Sequence, residues 1–269
     1  MSARSYLFVP GDRPERFDKA CNSGADVVVI DLEDAVTPDR KSVARAAVRA
    51  WLEAGGKACV RLNGTDTEWF NDDCELLELE GVTLVALPKA ERAEQISQLA
   101  ERLRPGVNIF PIVETALGVW NAVEVAQAPK VERLAFGSVD FQLDTGIIGD
   151  DLELLYARSR LVIASAIARI DAPVDGVTVA LDDDEQLRID VLGARSKGFG
   201  GKLCVHPRQV AQINQGFLPS EDEVQWAQAV ISEVEAHTGV GAISLKGKLI
   251  DQPVIDRARK LLSSSTLPR

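Results

Sequence analysis

Eight short apolar runs, each followed by a stretch with helical spacing or helix-start signals, constrain this chain more than any other feature. They fall at 5–9, 26–30, 58–62, 83–87, 107–113, 131–136, 173–179 and 201–205. The runs are apolar nearly throughout instead of alternating, the pattern of strands buried on both faces of a parallel sheet. Pro14 opens a helical stretch over 15–22 that closes at Gly24, and Thr37-Pro38 opens another over 39–54 that closes at Gly55-Gly56. Ile96, Leu99 and Leu103 share one face of a helix over 91–103, and further helices are expected over 115–127, 151–170 and 182–196. Strand-helix units about 25 residues apart predict an α/β fold, a single (β/α)8 TIM barrel, which typically takes roughly 250 residues. The rival is an open doubly wound sheet, but no GxGxxG turn follows the first run.

The barrel domain is expected to span 1–238, with the stretch 207–215 after the eighth run and then a helix over about 220–237. Residues 239–269 read differently: a polar turn at Lys246-Gly247-Lys248, then Asp251-Gln252-Pro253 leading into a helix over 254–262. A helical extension of this kind commonly packs on a neighbouring subunit, so a homo-oligomer is expected.

A formal net charge of -11 argues against nucleic acid or an anionic membrane as partner, since either calls for clustered Lys and Arg. No apolar run approaches membrane-spanning length, and the first is too brief for a signal-peptide core. Cys21, Cys59, Cys74 and Cys204 form no CxxC pair and read as buried thiols of a reducing compartment, so a cytoplasmic location is expected.

In such a barrel the active site is built where the strands end, so the polar residues just after each run carry the chemistry. The first run delivers Pro10-Gly11-Asp12-Arg13, the second Asp31, Glu33 and Asp34, the third Arg61 and Asn63, and the fourth Lys89. The fifth ends at Glu114, the sixth leads to Ser138 and Asp140, and the eighth to His206. If the fifth and sixth strands are parallel neighbours joined by the helix over 115–127, Glu114 and Asp140 emerge at one end of the sheet and can share Mg²⁺, which favours one or two carboxylates with waters and substrate oxygens. The plainer alternative is that each acid caps the helix after it. Arg61, at the end of an apolar strand, requires an anion, which is either a substrate oxygen or an internal partner such as Asp31 or Glu33. Asp31, Glu33 and Asp34 are either a solvated acidic loop or outer partners of a cation and Arg61. Lys89 can anchor substrate, orient an acid or form a Schiff base, and His206 can cap a strand or take part in catalysis.

Seven segments in one order carry a resemblance over nearly the whole chain. They are Phe8-Val9-Pro10-Gly11-Asp12-Arg13-Pro14-Glu15, Gly24-Ala25-Asp26 with Asp31-Leu32-Glu33-Asp34-Ala35-Val36, Val60-Arg61-Leu62-Asn63, Leu87-Pro88-Lys89, Pro111-Ile112-Val113-Glu114-Thr115, Phe136-Gly137-Ser138-Val139-Asp140 and Cys204-Val205-His206-Pro207. In these the chain resembles the citrate lyase beta subunit-like proteins of the aldolase/citrate lyase family. The resemblance implies a Mg²⁺-dependent carbon-carbon lyase acting on a hydroxyacyl-CoA thioester of the citramalyl-CoA, malyl-CoA or citryl type, with acetyl-CoA and a 2-oxo acid as products. It implies Glu114 and Asp140 as metal ligands, Arg61 and Glu114 toward substrate, and Asp251 as acid/base; from their places after the strands, Arg13 and Lys89 are candidates toward substrate, and Glu33 joins Arg61 and Asp251 in the candidate catalytic set. Asp251 lies in Gly247-Lys248-Leu249-Ile250-Asp251-Gln252-Pro253, which matches the family's tail motif, from which an aspartate reaches a neighbouring subunit's site as acid/base; a homotrimer is suggested. Two other readings are a pyruvate aldolase acting on free hydroxy-keto acids and a beta-like subunit active only within a complex.

Overall fold

The computed structural model describes residues 2–236, 243–245 and 248–265. Its strands are β1 (Ser5–Pro10), β2 (Val27–Asp31), β3 (Ala58–Arg61), β4 (Val82–Leu87), β5 (Asn108–Val113), β6 (Arg133–Phe136), β7 (Asp171–Asp175) and β8 (Gly201–Cys204). They close in sequence order into one barrel, each parallel to its neighbours, with β8 returning to β1. This is the (β/α)8 barrel expected of the eight apolar runs, and the open doubly wound sheet is set aside. Seven of the eight strands lie within two residues of their expected limits. The exception is β7, which ends at Asp175, so 176–179 is loop.

The barrel is filled with side chains, not open: Tyr6, Val29, Cys59, Leu84, Phe110, Ala135, Val174 and Leu203 belong to one buried cluster. The Tyr6 and Phe110 rings stack at 4.6 Å. At the N-terminal end of the strands Arg133, 1% exposed, donates to the carbonyls of Ala3 and Ala172 and to the Tyr6 hydroxyl. Outer helices bury one stripe each, as Ala44, Val48 and Leu52 do on the helix Lys41–Glu53.

Several helices depart from expectation at their ends. The first turns over Pro14–Arg16 and Pro38–Arg40 are 3-10, a common form where proline opens a helix. The single helix expected over 115–127 is two, Ala116–Trp120 and Ala122–Gln127, meeting at Asn121. Helix Ser138–Thr145 and the short turns Phe70–Asp73 and Cys74–Glu78 carry no clear apolar spacing and were not expected.

The chain divides into two compact units at 214/215, not at 238/239. In the second unit the helix Glu221–Ala236 packs on the helix Gln252–Ser265, joined by the antiparallel pair Ile243–Leu245 and Lys248–Ile250. Ala227, Val230, Ile250 and Ala258 are its buried core, and the Arg257 guanidinium lies 5.4 Å from the Trp226 ring centre. His237, the stretch opening at Gly239 and the turn at Lys246-Gly247 lie outside the described residues.

All four cysteines are free thiols; Cys59, Cys74 and Cys204 are buried, but Cys21 is exposed, contrary to expectation, because it ends its short helix on the solvent side. Among the described residues no helix is long and apolar enough to cross a membrane.

Candidate active site

The register of β2 on β3 sets Asp31 beside Arg61 at the C-terminal ends of both strands. The result is a bidentate pair in which Arg61 Nε and Nη2 each donate to a carboxylate oxygen of Asp31 at 2.6 Å. Asp31 also accepts the backbone N–H groups of Glu33 and Ala35, so the turn that follows β2 is wound around it. Burial alone would raise the Asp31 carboxyl, but the charge and hydrogen bonds of Arg61 hold it below its ordinary range. The other arm of the guanidinium, Nη1, lies 2.7 Å from Glu33 and 3.3 Å from Asp34, and the Phe8 ring covers one face at 5.0 Å. Arg61 therefore has the internal partners that were one of its two readings, and it has three of them.

Glu33 bridges two cations. Its Oε1 accepts from Lys89 Nζ at 2.8 Å, while Oε2, close to Arg61, has no aligned hydrogen-bond donor among the described residues. Burial raises its carboxyl above the ordinary value, against the opposing pull of Arg61 and Lys89. The turn carrying Glu33 is held from below by Lys41, whose buried ammonium donates to the carbonyls of Leu32 and Glu33 at 2.7 Å each. No motif or spacing in the sequence marks Lys41 for this.

On the opposite side, β5 and β6 are parallel neighbours, with Val113 paired to Phe136, and the Gly137 N–H donates to the Val113 carbonyl. Glu114 and Asp140 thus leave the same end of the barrel. Asp140, just beyond β6 as expected, stands in the first turn of the helix Ser138–Thr145. Glu114 is 2% exposed and accepts the Lys89 N–H at 2.8 Å. The cap of the following helix is Thr115, whose hydroxyl accepts from the Gly118 N–H, so Glu114 is free of the capping role. Burial first, then the charges of Glu33 and Asp140, push the Glu114 carboxyl up to about 8. Asp140 is raised as well, by burial and by the charge of Asp34.

Gly137 explains how Glu114 fits. A Cβ at this position would run into the Glu114 side chain, carboxylate oxygen included, so only a glycine leaves room for the acid against the β6 turn. In Phe136-Gly137-Ser138-Val139-Asp140 the serine and the acid stand out in the sequence, whereas the role of the glycine shows only in the fold.

Asp31, Asp34, Arg61, Glu114, Ser138 and Asp140 line one cavity of about 380 Å³ at the barrel mouth. Among the described residues no cage of three or more acid, histidine or cysteine ligands forms. Two carboxyls that burial and neighbouring acids both hold above their ordinary values are instead the donor set a hard divalent ion takes together with water.

Lys89 lies beside this cavity and is tied to it through Glu33 and Glu114. Burial opposes its charge, but the hydrogen bond and charge of Glu33 raise its ammonium above the ordinary value, which is unsuited to a Schiff-base amine. Arg13 is exposed, 3.8 Å from Asp12, and does not line the cavity. Asp251 belongs to the second unit, where its carboxylate caps the helix Gln252–Ser265 through the Val254 N–H at 3.3 Å. A second cavity of about 330 Å³ shares Phe8 and Val205 with the first and is lined by Arg16, Lys19 and His206. The His206 N–H bonds the Gln209 side chain, and its Nδ1 accepts from the Arg208 N–H.

A closed parallel barrel with acids and one arginine gathered where its strands end is the architecture of a barrel enzyme whose active site opens at the C-terminal face. Residues 4–207 match the family model described as HpcH/HpaI aldolase/citrate lyase, and the chain belongs to that family of lyases. A citrate lyase subunit beta-like protein of Deinococcus radiodurans is 38% identical, over 97% of this chain and 96% of its own. A (3S)-malyl-CoA thioesterase of Cereibacter sphaeroides is 34% identical, over 97% and 94%. Among solved structures, the protein CitE of Mycobacterium tuberculosis in complex with magnesium, acetoacetate and coenzyme A superposes with a TM-score of 0.87 at 31% identity, covering 99% of each chain.

Proposed function

We propose that this protein is a Mg²⁺-dependent lyase that cleaves a 3-hydroxyacyl-CoA thioester to acetyl-CoA and a 2-oxo acid. The observation that carries the reading is the pair Glu114 and Asp140, delivered by adjacent strands to one cavity that also holds Arg61. Magnesium and coenzyme A in the CitE complex support it.

Glu114 and Asp140 would hold the ion, with Gly137 and the Lys89 N–H fixing the Glu114 carboxylate. When bound, the ion supplies Lewis acidity to the substrate's carboxylate and carbinol oxygen. The carbinol proton leaves to a base, and the bond between the carbinol carbon and the thioester α-carbon breaks. Its electron pair passes to the α-carbon as a thioester enolate, and one proton returned to that carbon completes acetyl-CoA. No net oxidation occurs. Arg61, pinned by Asp31 and stacked on Phe8, presents a fixed positive charge to the developing anion without having to reorganise. Glu33, buried with one oxygen lacking an aligned donor, is the residue beside Arg61 that accepts and relays the carbinol proton. Asp251 of a neighbouring copy returns the proton to carbon, which makes the working unit a homo-oligomer, a trimer in this reading. The second cavity, with Arg16 and Lys19 on its wall, suits the phosphates of the coenzyme tail better than Arg13 does.

The test is a panel of malyl-, citramalyl- and citryl-CoA incubated with and without Mg²⁺, following the 2-oxo acid and free CoA separately. The expected outcome is a 2-oxo acid with acetyl-CoA, abolished by EDTA. Free CoA and the intact hydroxy acid would instead show thioester hydrolysis, the activity named for the Cereibacter relative. Turnover of the free acids would favour a pyruvate aldolase, and activity only after adding further subunits would favour a complex-dependent role.

A further inference from the structure

β7 ends at Asp175, so residues 176–179 leave the sheet at the barrel mouth, where Val177 lines the cavity with Ser138 and Asp140. Val174 and Leu203 belong to the barrel interior, so their chain neighbours Asp175 and Lys202 point outward, against the surrounding helices. Lys202 is 1% exposed, and its ammonium donates to the Gly176 carbonyl at 2.6 Å. Asp175 lies 3.9 Å from that ammonium and is itself held at 3.0 Å by Arg158 of the helix Leu155–Ala168. Two residues of other outer helices also fix the loop: Gln209 donates to the Thr178 carbonyl at 2.9 Å, and the Thr178 hydroxyl donates to Asp190 at 2.5 Å. Burying an ammonium where hydrocarbon could pack is costly, and stability alone gives little reason to keep it.

The loop presses on the turn that follows β6. A Cβ at Gly176 would run into the Ser138 side chain and come within 3.2 Å of the Phe136 carbonyl, so bare backbone packs against the start of the helix Ser138–Thr145. Asp140 stands in the first turn of that helix. Glu114 is held by the Lys89 N–H, whereas the Asp140 carboxylate is met by its own backbone N–H and by no other donor among the described residues. Its aim therefore follows from where this turn is placed.

We propose that Lys202 is a positioning residue for Asp140: from outside the barrel its ammonium fixes the Gly176 carbonyl, and Gly176 in turn sets Ser138 and the helix turn that carries the acid. This role rests on the reading of Asp140 as a metal ligand and adds to it the device that aims the carboxylate. Lys202 touches neither substrate nor ion, so its loss is felt as geometry at Asp140.

Lys202→Met keeps a long unbranched side chain and removes its donor. Calorimetry should show Mg²⁺ affinity lowered at least about tenfold, the scale on which groups behind a metal ligand act. Arg133→Met, which removes a buried cation at the other end of the barrel, should destabilise the protein but leave that affinity within about twofold of the parent's. An affinity in Lys202→Met within about twofold of the parent's, or an equal loss in Arg133→Met, overturns the role. If Lys202→Met does not fold, Gly176→Ala tests the same contact from the loop. Its methyl should lower Mg²⁺ affinity at least about threefold, and adding Ser138→Gly should recover most of the loss. No loss, or no recovery, overturns the route through Ser138. In the metal-free protein, amide hydrogen exchange over Ser138–Thr145 should rise at least about tenfold in Lys202→Met, while that over the helix Lys41–Glu53 stays as it was. Unchanged exchange over Ser138–Thr145 overturns the role even if the parent takes up no Mg²⁺ and the metal reading itself falls.

Discussion

Two buried arginines sit at opposite ends of the barrel, and they are neutralised in different ways. Arg133, at the N-terminal end, is held by backbone carbonyls and the Tyr6 hydroxyl, neutral dipoles that belong to the strands themselves. Arg61, at the C-terminal end, is held by three carboxylates, with Glu114 and Asp140 lining the same cavity. At the floor Arg133 Nε and Nη1 are answered by neutral acceptors, and Nη2 alone of its nitrogens has no hydrogen-bond partner among the described residues. At the mouth, burial first and then the neighbouring acids push Glu114 up to about 8 and raise Asp140. Burial of the same side chain therefore makes a structural tie at one end and an electrostatically unfinished site at the other.

The sharpest way to break this contrast is to disable each end separately. Glu114→Gln or Asp140→Asn should lower kcat/KM by at least about a thousandfold, with a metal-free melting temperature equal to or above that of the parent, because charge crowding is relieved. Arg133→Met should do the reverse. Each buried carbonyl left without a donor costs roughly 1–3 kcal/mol, so denaturant unfolding should show a loss of at least about 2 kcal/mol while the folded fraction keeps its turnover. A floor variant that kills turnover at full stability would end the distinction.

Titration sharpens it next. The Glu114 carboxyl holds its proton up to about 8 in the metal-free protein, above its unfolded value, so its contribution to stability is present in acid and lost as pH rises through that range. Magnesium must displace the proton, so its affinity should rise by up to about tenfold per unit between pH 6 and 8 and then level off. The stabilisation by Mg²⁺, read as a thermal shift at fixed concentration, should be larger at pH 9 than at pH 6; a flat profile would mean that Glu114 is already ionised.

The smallest effect belongs to Gly137. An alanine there meets the Glu114 side chain, and overpacking of this kind costs about 1–3 kcal/mol. Because the strain falls on the acid, Mg²⁺ affinity should drop more than unfolding stability does, as calorimetry and denaturant melts on one variant can compare.

Much of the barrel was legible from the sequence because fully buried strands need uninterrupted apolar runs, and eight of these survive in order. Glu114 and Asp140 were legible for the same reason, as acids that end or follow such runs. What was not legible depends on contacts between distant segments. Helix Ser138–Thr145 has no apolar stripe, so nothing in the sequence shows that Asp140, after the sixth run, stands in a helix's first turn. The break at Asn121 follows its side-chain bond to the Glu91 carbonyl, a partner thirty residues away. Lys41 props up the acid turn from the first residue of an amphipathic helix, a role that no spacing marks. The boundary at 214/215 depends on the helix Glu221–Ala236 packing with the tail helix, a choice that amphipathic spacing leaves open.

Lys89 stands in left-handed backbone, with φ at 48°, a conformation that comes easily to glycine and costs a side-chain-bearing residue about 1 kcal/mol. That twist lets one residue reach two ways, its amide to Glu114 and its ammonium to Glu33. A glycine in its place would relax the chain and keep the amide while surrendering the ammonium. Selection for hardiness and selection for turnover therefore pull this position in opposite directions, and a lysine here records which of the two prevailed.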